Sequence, residues 1–328
     1  MRPNQLSRYG AIDKAIKALG PSGKVFFVKA TTDSDFADFE AQFPVDEDGV
    51  VRTYSTIQGA VNACVGGRGD VVLITTPNMS AGATDPTSYA ETVIVAAGQS
   101  GVTLAGVPSY NRTQGGLPQI KKGSGSVSLL TLRAPGVTVL NIGFNGSGST
   151  GGGILLDDDG STKSAFGTSI TGCHFKNLKG SSATNSATGG AIQWASTGGA
   201  WQVNISGNSF YNNVGGIVLL GTSASVPQDV IIENNTFHGG AATDTYLYLS
   251  AGSGMTGLVI KGNTFGTFPT LGSATNATYM ILTNCTGVMA DNFFGSSGKT
   301  FGATSDVKVP ITVLMAGNYQ EGGLIARS

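Results

Sequence analysis

The sequence predicts an all-β fold, a right-handed parallel β-helix, and three observations carry that prediction. The first is composition. Of 328 residues 50 are glycine and only 12% are charged, with Ser, Thr and Asn filling the space between short β-branched runs. That is the make-up of many short strands joined by turns. The second is a repeat. A phrase of the form Asn-x-Phe recurs as Gly207-Asn208-Ser209-Phe210, Asn234-Asn235-Thr236-Phe237, Gly262-Asn263-Thr264-Phe265 and Asp291-Asn292-Phe293-Phe294, and Gly317-Asn318-Tyr319 closes the series. Ile142-Gly143-Phe144 and Cys173-His174-Phe175 keep the aromatic without the Asn. The third is the period. Phe144, Phe175, Phe210, Phe237, Phe265, Phe294 and Tyr319 follow one another at intervals of 25 to 35 residues. Two or three short strands fit in that length, and the crossover helix of a βαβ unit does not. Strands repeating without helices mean a coil of stacked parallel sheets.

Taken from the N-terminus, residues 1–50 differ in composition from the rest and are expected to be an attachment or docking segment. Residues 11–19 place Ile12, Ile16 and Leu19 on one face of a short helix, which Gly20-Pro21 stops. So short a helix is marginal alone and must pack on something, either this coil or a neighbouring subunit. Lys24-Val25-Phe26-Phe27-Val28 reads as a strand. Asp33, Asp35, Asp38, Glu40, Asp46, Glu47 and Asp48 then form an acidic run, a solvated loop or else a docking surface. Phe36, Phe39 and Phe43 interleave with these acids at helical spacing, as they would in a helix packed on the coil.

Residues 51–328 are expected to be the coil itself. A capping helix is predicted at about 55–65, because Ser55-Thr56-Ile57-Gln58 has the form of a capping box, with Ser55 as N-cap and Gln58 reaching back to it. Rungs follow from about 70 to 320. In such a coil each residue lies above its counterpart one rung below, about 4.8 Å away. The phenylalanines Phe144, Phe175, Phe210, Phe237, Phe265 and Phe294 should therefore form a stack. Asn208, Asn235, Asn263 and Asn292 should form a column, an amide ladder if they point inward. The stretch from Tyr54-Ser55-Thr56-Ile57-Gln58 to Asp70-Val71-Val72-Leu73-Ile74, with Val102-Thr103-Leu104-Ala105-Gly106 and Pro118-Gln119-Ile120 after it, resembles the opening of coils of the pectate-lyase-like β-helix superfamily. That resemblance is specific for the fold and nearly silent on function.

The superfamily contains lyases and glycoside hydrolases, so chemistry has to be sought. Glycoside hydrolysis needs two carboxyl groups about 5 to 10 Å apart, and Asp157-Asp158-Asp159 is the only acidic cluster within the rungs. It superficially resembles the paired aspartates of polygalacturonase-like enzymes. Their Gly-His-Gly and Arg-x-Lys motifs have no match, since His174 and His238 stand in Cys-His-Phe and Phe-His-Gly contexts. The bland reading of the triplet is a solvated turn ahead of Gly160-Ser161-Thr162. The alternative is calcium held by Asp157 and Asp159. Trp194 and Trp201 offer either a carbohydrate platform or rung packing.

Other classes are excluded on simple grounds. Cys64, Cys173 and Cys285 fit neither disulfide nor zinc spacing and are expected to be buried fillers. A net charge of −1 provides no basic stripe for nucleic acid. No run of 18 apolar residues exists to span a membrane. No cofactor is implied. Met1-Arg2-Pro3-Asn4-Gln5 carries no apolar leader, so no secretory signal is expected. An N-terminal anchor ahead of a coil resembles phage tailspikes and other virion appendages. The expectation is a non-enzymatic structural protein on the surface of a bacteriophage-like virion, a capsid decoration or a tail-associated spike, assembled in the host cytoplasm. Its partners would be other virion proteins or further copies of itself. The alternatives are a polysaccharide lyase or hydrolase, and a carbohydrate-binding adhesin on the same fold.

Overall fold

A computed structural model describes residues 23–77, 88–108, 116–121, 127–146, 151–160, 164–178, 190–194, 201–221, 226–239, 245–266, 278–295, 301–302 and 307–325. The chain winds as a right-handed parallel β-helix whose rungs carry up to three strands, one on each of three faces. Face one runs from Val25–Val28 through Val71–Thr75, Thr103–Val107, Thr138–Leu140, Ser169–Thr171, Asn204–Ser206 and Ile231–Glu233. It continues through the second halves of two long strands, Thr245–Lys261 and Thr278–Ala290, to Val313–Ala316, every pairing being parallel. Face two is a nine-stranded sheet from Gln119–Lys121 to Gly323–Leu324. Face three holds Val93–Val95, Leu130–Leu132, Ile154–Leu156, Ile192–Trp194, Gly215–Leu220, the first halves of the long strands and Val307–Lys308.

The repeated phrase is the bend into face two. Its first residue, Asn141, Gly172, Gly207, Asn234, Gly262, Asp291 or Gly317 in successive rungs, has φ between 55° and 64°. Gly, Asn and Asp tolerate that left-handed conformation best. Their order in the column has a steric cause. A Cβ on Gly262 would lie 2.6 Å from Asn234 Oδ1, and one on Gly317 would lie 2.5 Å from Asp291 Oδ1. Each Asn or Asp side chain thus leans over a glycine in the next rung.

The residue after the bend points inward. Asn235 donates Nδ2 to Asn263 Oδ1 at 3.0 Å and to Ile205 O at 2.8 Å, while its backbone N–H also meets Asn263 Oδ1 at 3.0 Å. The same pattern links Asn208 to Asn235, Asn263 to Asn292 and Asn292 to Asn318. All five amides are buried, so an unmade bond anywhere in the ladder would leave a desolvated polar group. At the ladder's first end Cys173 takes the Asn position, and its backbone N–H donates to Asn208 Oδ1 at 2.8 Å.

Three residues past the bend, the phenylalanines stack. Phe144, Phe175, Phe210, Phe237, Phe265 and Phe294 lie 4.5 to 5.0 Å apart, centroid to centroid, with ring planes within 20° of parallel. Tyr319 is not in this column. It stands in register with Phe293 on the outer surface, and Gln320 occupies the phase of Phe294. In Asn318-Tyr319 the aromatic follows the Asn directly rather than one residue later, which turns it outward.

The parallel sheet reaches back past residue 50, into the segment that composition sets apart. Val25–Val28, β1, pairs with Val71–Thr75 on one edge and with Thr53–Tyr54, β2, on the other. Phe26 and Val28 face the bore, and Val25 and Phe27 face out. The outward side is covered by α1, Phe36–Gln42, which buries Phe39 against Val25, Phe27, Val71, Leu73, Ala105 and Val107. Both sides of β1 are therefore buried, which explains its unbroken apolar run. The acidic run is tied down in part. Lys24 pairs with Asp46 and Asp48, and buried Lys29 with Asp33 and Asp35.

The bore is closed at this end by α2, Ile57–Ala63, through Ile57, Ala60 and Val61. Its N-cap is Thr56, not Ser55: Thr56 Oγ1 accepts from Gly59 N at 3.1 Å. Gln58 does not reach back either. It bonds Asn62 and the backbone of Ile94. The free N–H groups of the first turn are met instead by Glu91 from the next rung, whose carboxylate accepts from Ile57 N at 2.8 Å and Gln58 N at 3.0 Å. A long-range acceptor thus replaces the local capping box.

Candidate functional site

Asp157, Asp158 and Asp159 directly follow the face-three strand Ile154–Leu156. One rung earlier Arg133 holds the same place after Leu130–Leu132, and its Nε donates to Asp157 Oδ2 at 2.8 Å. Asp158 Oδ1 accepts from Gly160 N at 2.8 Å, a local turn bond, and Ala165 N donates to Asp157 O at 3.1 Å. The triplet is thus a pinned turn. The Arg133 guanidinium already pairs with Asp157 at Oδ2, and no cluster of three or more His, Cys, Asp or Glu exists among the described residues to hold a metal. His174 and His238 sit on the outer side of face two, in two different columns. Burial holds the His238 imidazole below its usual pKa. The fold brings neither histidine to the Asp157 turn.

The two tryptophans part company. Trp194 is fully buried on face three, in register with Leu156, so it cannot share a surface platform with Trp201. Trp201 is 39% exposed at the corner leading into face one. Gly167 N donates to Trp201 O, and Gly136 N to Phe166 O, so Phe166 holds the same corner one rung earlier, 41% exposed. Phe166 escapes a sequence reading built on tryptophan alone. The available signal was that both aromatics directly precede a left-handed turn residue, Gly167 or Gln202. Tyr246 also turns inward, packing between Phe237 and Phe265 with its hydroxyl on Gly266 O. The cysteines are buried and unpaired, and burial pushes the Cys173 and Cys285 thiols up to about 12, which removes thiolate chemistry at neutral pH. The segment bearing Ile12, Ile16 and Leu19, expected from its sequence to be a helix, lies outside the described residues.

What the described surface offers is a pattern along the outer side of face one. In its first rungs the outward residues are Val25, Phe27, Val71, Leu73 and Ala105, all under α1. Thr138, Ser169 and Asn204 follow in one column. The column then turns apolar through Ile231, Val259, Val288 and Leu314. Ile231, Val288 and Leu314 are 37%, 42% and 69% exposed. The neighbouring outward column ends in Ala290 and Ala316, which leave the stripe flat. Ile311 and Leu324 in the last rung are 84% and 75% exposed. Single exposed apolar residues are ordinary; here Ile231, half-buried Val259, Val288 and Leu314 occupy one column on four successive rungs.

No protein-family model matches the chain, and no curated protein does. Among solved structures, the crystal structure of Escherichia coli YbhC matches with 10% identity and a TM-score of 0.42, covering 90% of this chain and 85% of that one. PfbA, a surface adhesin of Streptococcus pneumoniae, matches with 13% identity and a TM-score of 0.37, covering 94% of this chain and 86% of that one. These likenesses concern the fold alone. The class defined by the molecule's own pairing is the parallel β-helix.

Proposed function

We propose that the chain is a non-enzymatic structural protein of a bacteriophage-like virion, a capsid decoration or tail-associated spike that acts through protein–protein contacts. The observation that carries this reading is the apolar stripe of face one, which has the composition of a contact surface rather than of a substrate cleft. The polar groups between rungs support it. The Asn ladder and the Arg133–Asp157 pair both spend their hydrogen bonds on holding rungs together. The test is a copy count and image reconstruction of particles carrying this chain. Hundreds of copies at regular shell sites mean a decoration, and a few at one vertex mean a spike. Absence from every particle would sink the reading.

One observation favours a second role, carbohydrate binding. Phe166 and Trp201 present two exposed aromatic side chains on consecutive rungs, and the apolar faces of sugars stack on such rings. Glycan-array binding that is lost in Trp201→Ala would support it. No binding by the intact chain would dismiss it.

A further inference from the structure

We infer that the apolar stripe Ile231–Val259–Val288–Leu314 is the docking site for the N-terminal segment 11–19 of a second copy of this chain. The inference deepens the assembly part of the reading above and rests on it only for where the assembly sits.

Where face one is apolar on its outer side in the first rungs, a short helix with Phe39 and Phe43 on its inner side lies across it. The last four rungs present one apolar column there, flanked by Glu233, Lys261, Ala290 and Ala316, with nothing over it among the described residues. The chain carries one further segment of matching chemistry. Residues 11–19 place Ile12, Ile16 and Leu19 at the i, i+4, i+7 spacing of one helix face. As a helix, nine residues would measure about 13 Å, and the three rung steps of the stripe measure about 14 Å.

Reach decides between the chain's own segment and a neighbour's. The structure fixes Lys24 at the start of β1, in the first rung. Ile231, the nearest stripe residue, is six rungs further along face one, about 29 Å at the strand spacing. From Leu19 to Lys24 the chain can span at most about 18 Å fully extended. A segment anchored on one copy therefore cannot lie on its own stripe, and it can lie on another's. Such a contact is heterologous, joining the head of one coil to the flank of the next, so it yields a closed ring or an open string.

The experiment uses the full chain. Light scattering after size exclusion should give the wild type a multiple of the 33.2 kDa chain mass, rising with concentration. Ile16→Asp and Val288→Asp should each bring the mass to one chain. Val288 is surface-exposed, and unchanged far-UV circular dichroism and urea midpoint confirm that the coil is intact. An equimolar mixture of the two variants should then recover a dimer, because one copy retains its stripe and the other its segment. Wild-type chain that stays at one mass at all concentrations overturns the inference. So does an Ile16→Asp mass equal to wild type, which would place another occupant on the stripe. Assembly in solution combined with absence from particles would leave this inference standing and remove the virion reading.

Discussion

The outer side of face one is apolar in two places, and the molecule handles them differently. In the first rungs α1 lies over Val25, Phe27, Val71 and Leu73 and leaves Phe39 only 2% exposed. The edge strand there is sealed too. Phe27 N and Lys29 N donate to Arg52 O and Tyr54 O, and Arg52 Nε donates to Val25 O. In the last rungs Leu314 is 69% exposed, and among the described residues Val313–Ala316 pairs on one side only. An open strand edge beside apolar surface recruits another chain unless it is covered. One of these apolar surfaces is covered within the chain, and the other is covered by none of the described residues.

The sharpest way to break this contrast is to remove the cover. Phe39→Ala should cost about 3 kcal/mol, the range for truncating a buried Phe, and hydrogen exchange should quicken in the strands from 25 to 107. Leu314→Ala should change stability of the single chain by less than about 0.5 kcal/mol. Equal effects at the two positions would mean that the ends are not finished differently.

Next in size is Asp70, whose fully buried carboxylate ties the sealed end together. It accepts from Lys24 N, Val65 N and the Arg68 guanidinium at 2.6 to 2.8 Å. Burial alone would raise its pKa, but Arg68 and the two amides outweigh it and hold the carboxyl below its usual value of 3.8. The folded pKa is the depressed one, so this contribution is complete above 3.8 and is lost as pH falls through the folded value. Asp70→Ala should cost about 3 kcal/mol and open the first rungs to exchange. It should also flatten the acid limb of stability measured below the usual carboxylate pKa. An unchanged acid limb would show that Asp70 is not the group that titrates there.

The ladder gives a finer comparison, because it runs between the two ends. Asn263→Ala strips Asn235 of its acceptor and Asn292 of its donor, and about 2 kcal/mol is expected from denaturation. Asn318→Ala, at the end of the ladder, removes a partner on one side only and should cost about 1 kcal/mol. The smallest pair is at the cap of α2. Thr56→Ala should cost about 1 kcal/mol, while Ser55→Ala should fall within about 0.3 kcal/mol of wild type. The reverse order would restore Ser55 as the cap.

The interior was legible in the residues because a coil repeats its environment. Phe144 to Phe294 and Asn208 to Asn292 meet the same surroundings once per rung, so identity at a fixed phase reveals the stack and the ladder before any coordinate. The helix at Phe36–Gln42 was legible from the spacing of three phenylalanines. Features that depend on one contact between distant segments were not. Glu91 caps α2 from the next rung, and Arg133 pins Asp157 across 24 residues. Trp194 and Trp201, seven positions apart in sequence, end up inside and outside.

The sequence by itself therefore determined the parallel coil, its period, its inward columns and the closing helix, because each follows from local pattern repeated at a constant spacing. Only the tertiary structure decided which apolar surface is covered. Ile231, Val259, Val288 and Leu314 are separated by 26 to 29 residues and become one stripe only when the rungs stack in register. Whether such a stripe is core or surface depends on what lies over it, and a strand's own alternation cannot encode that.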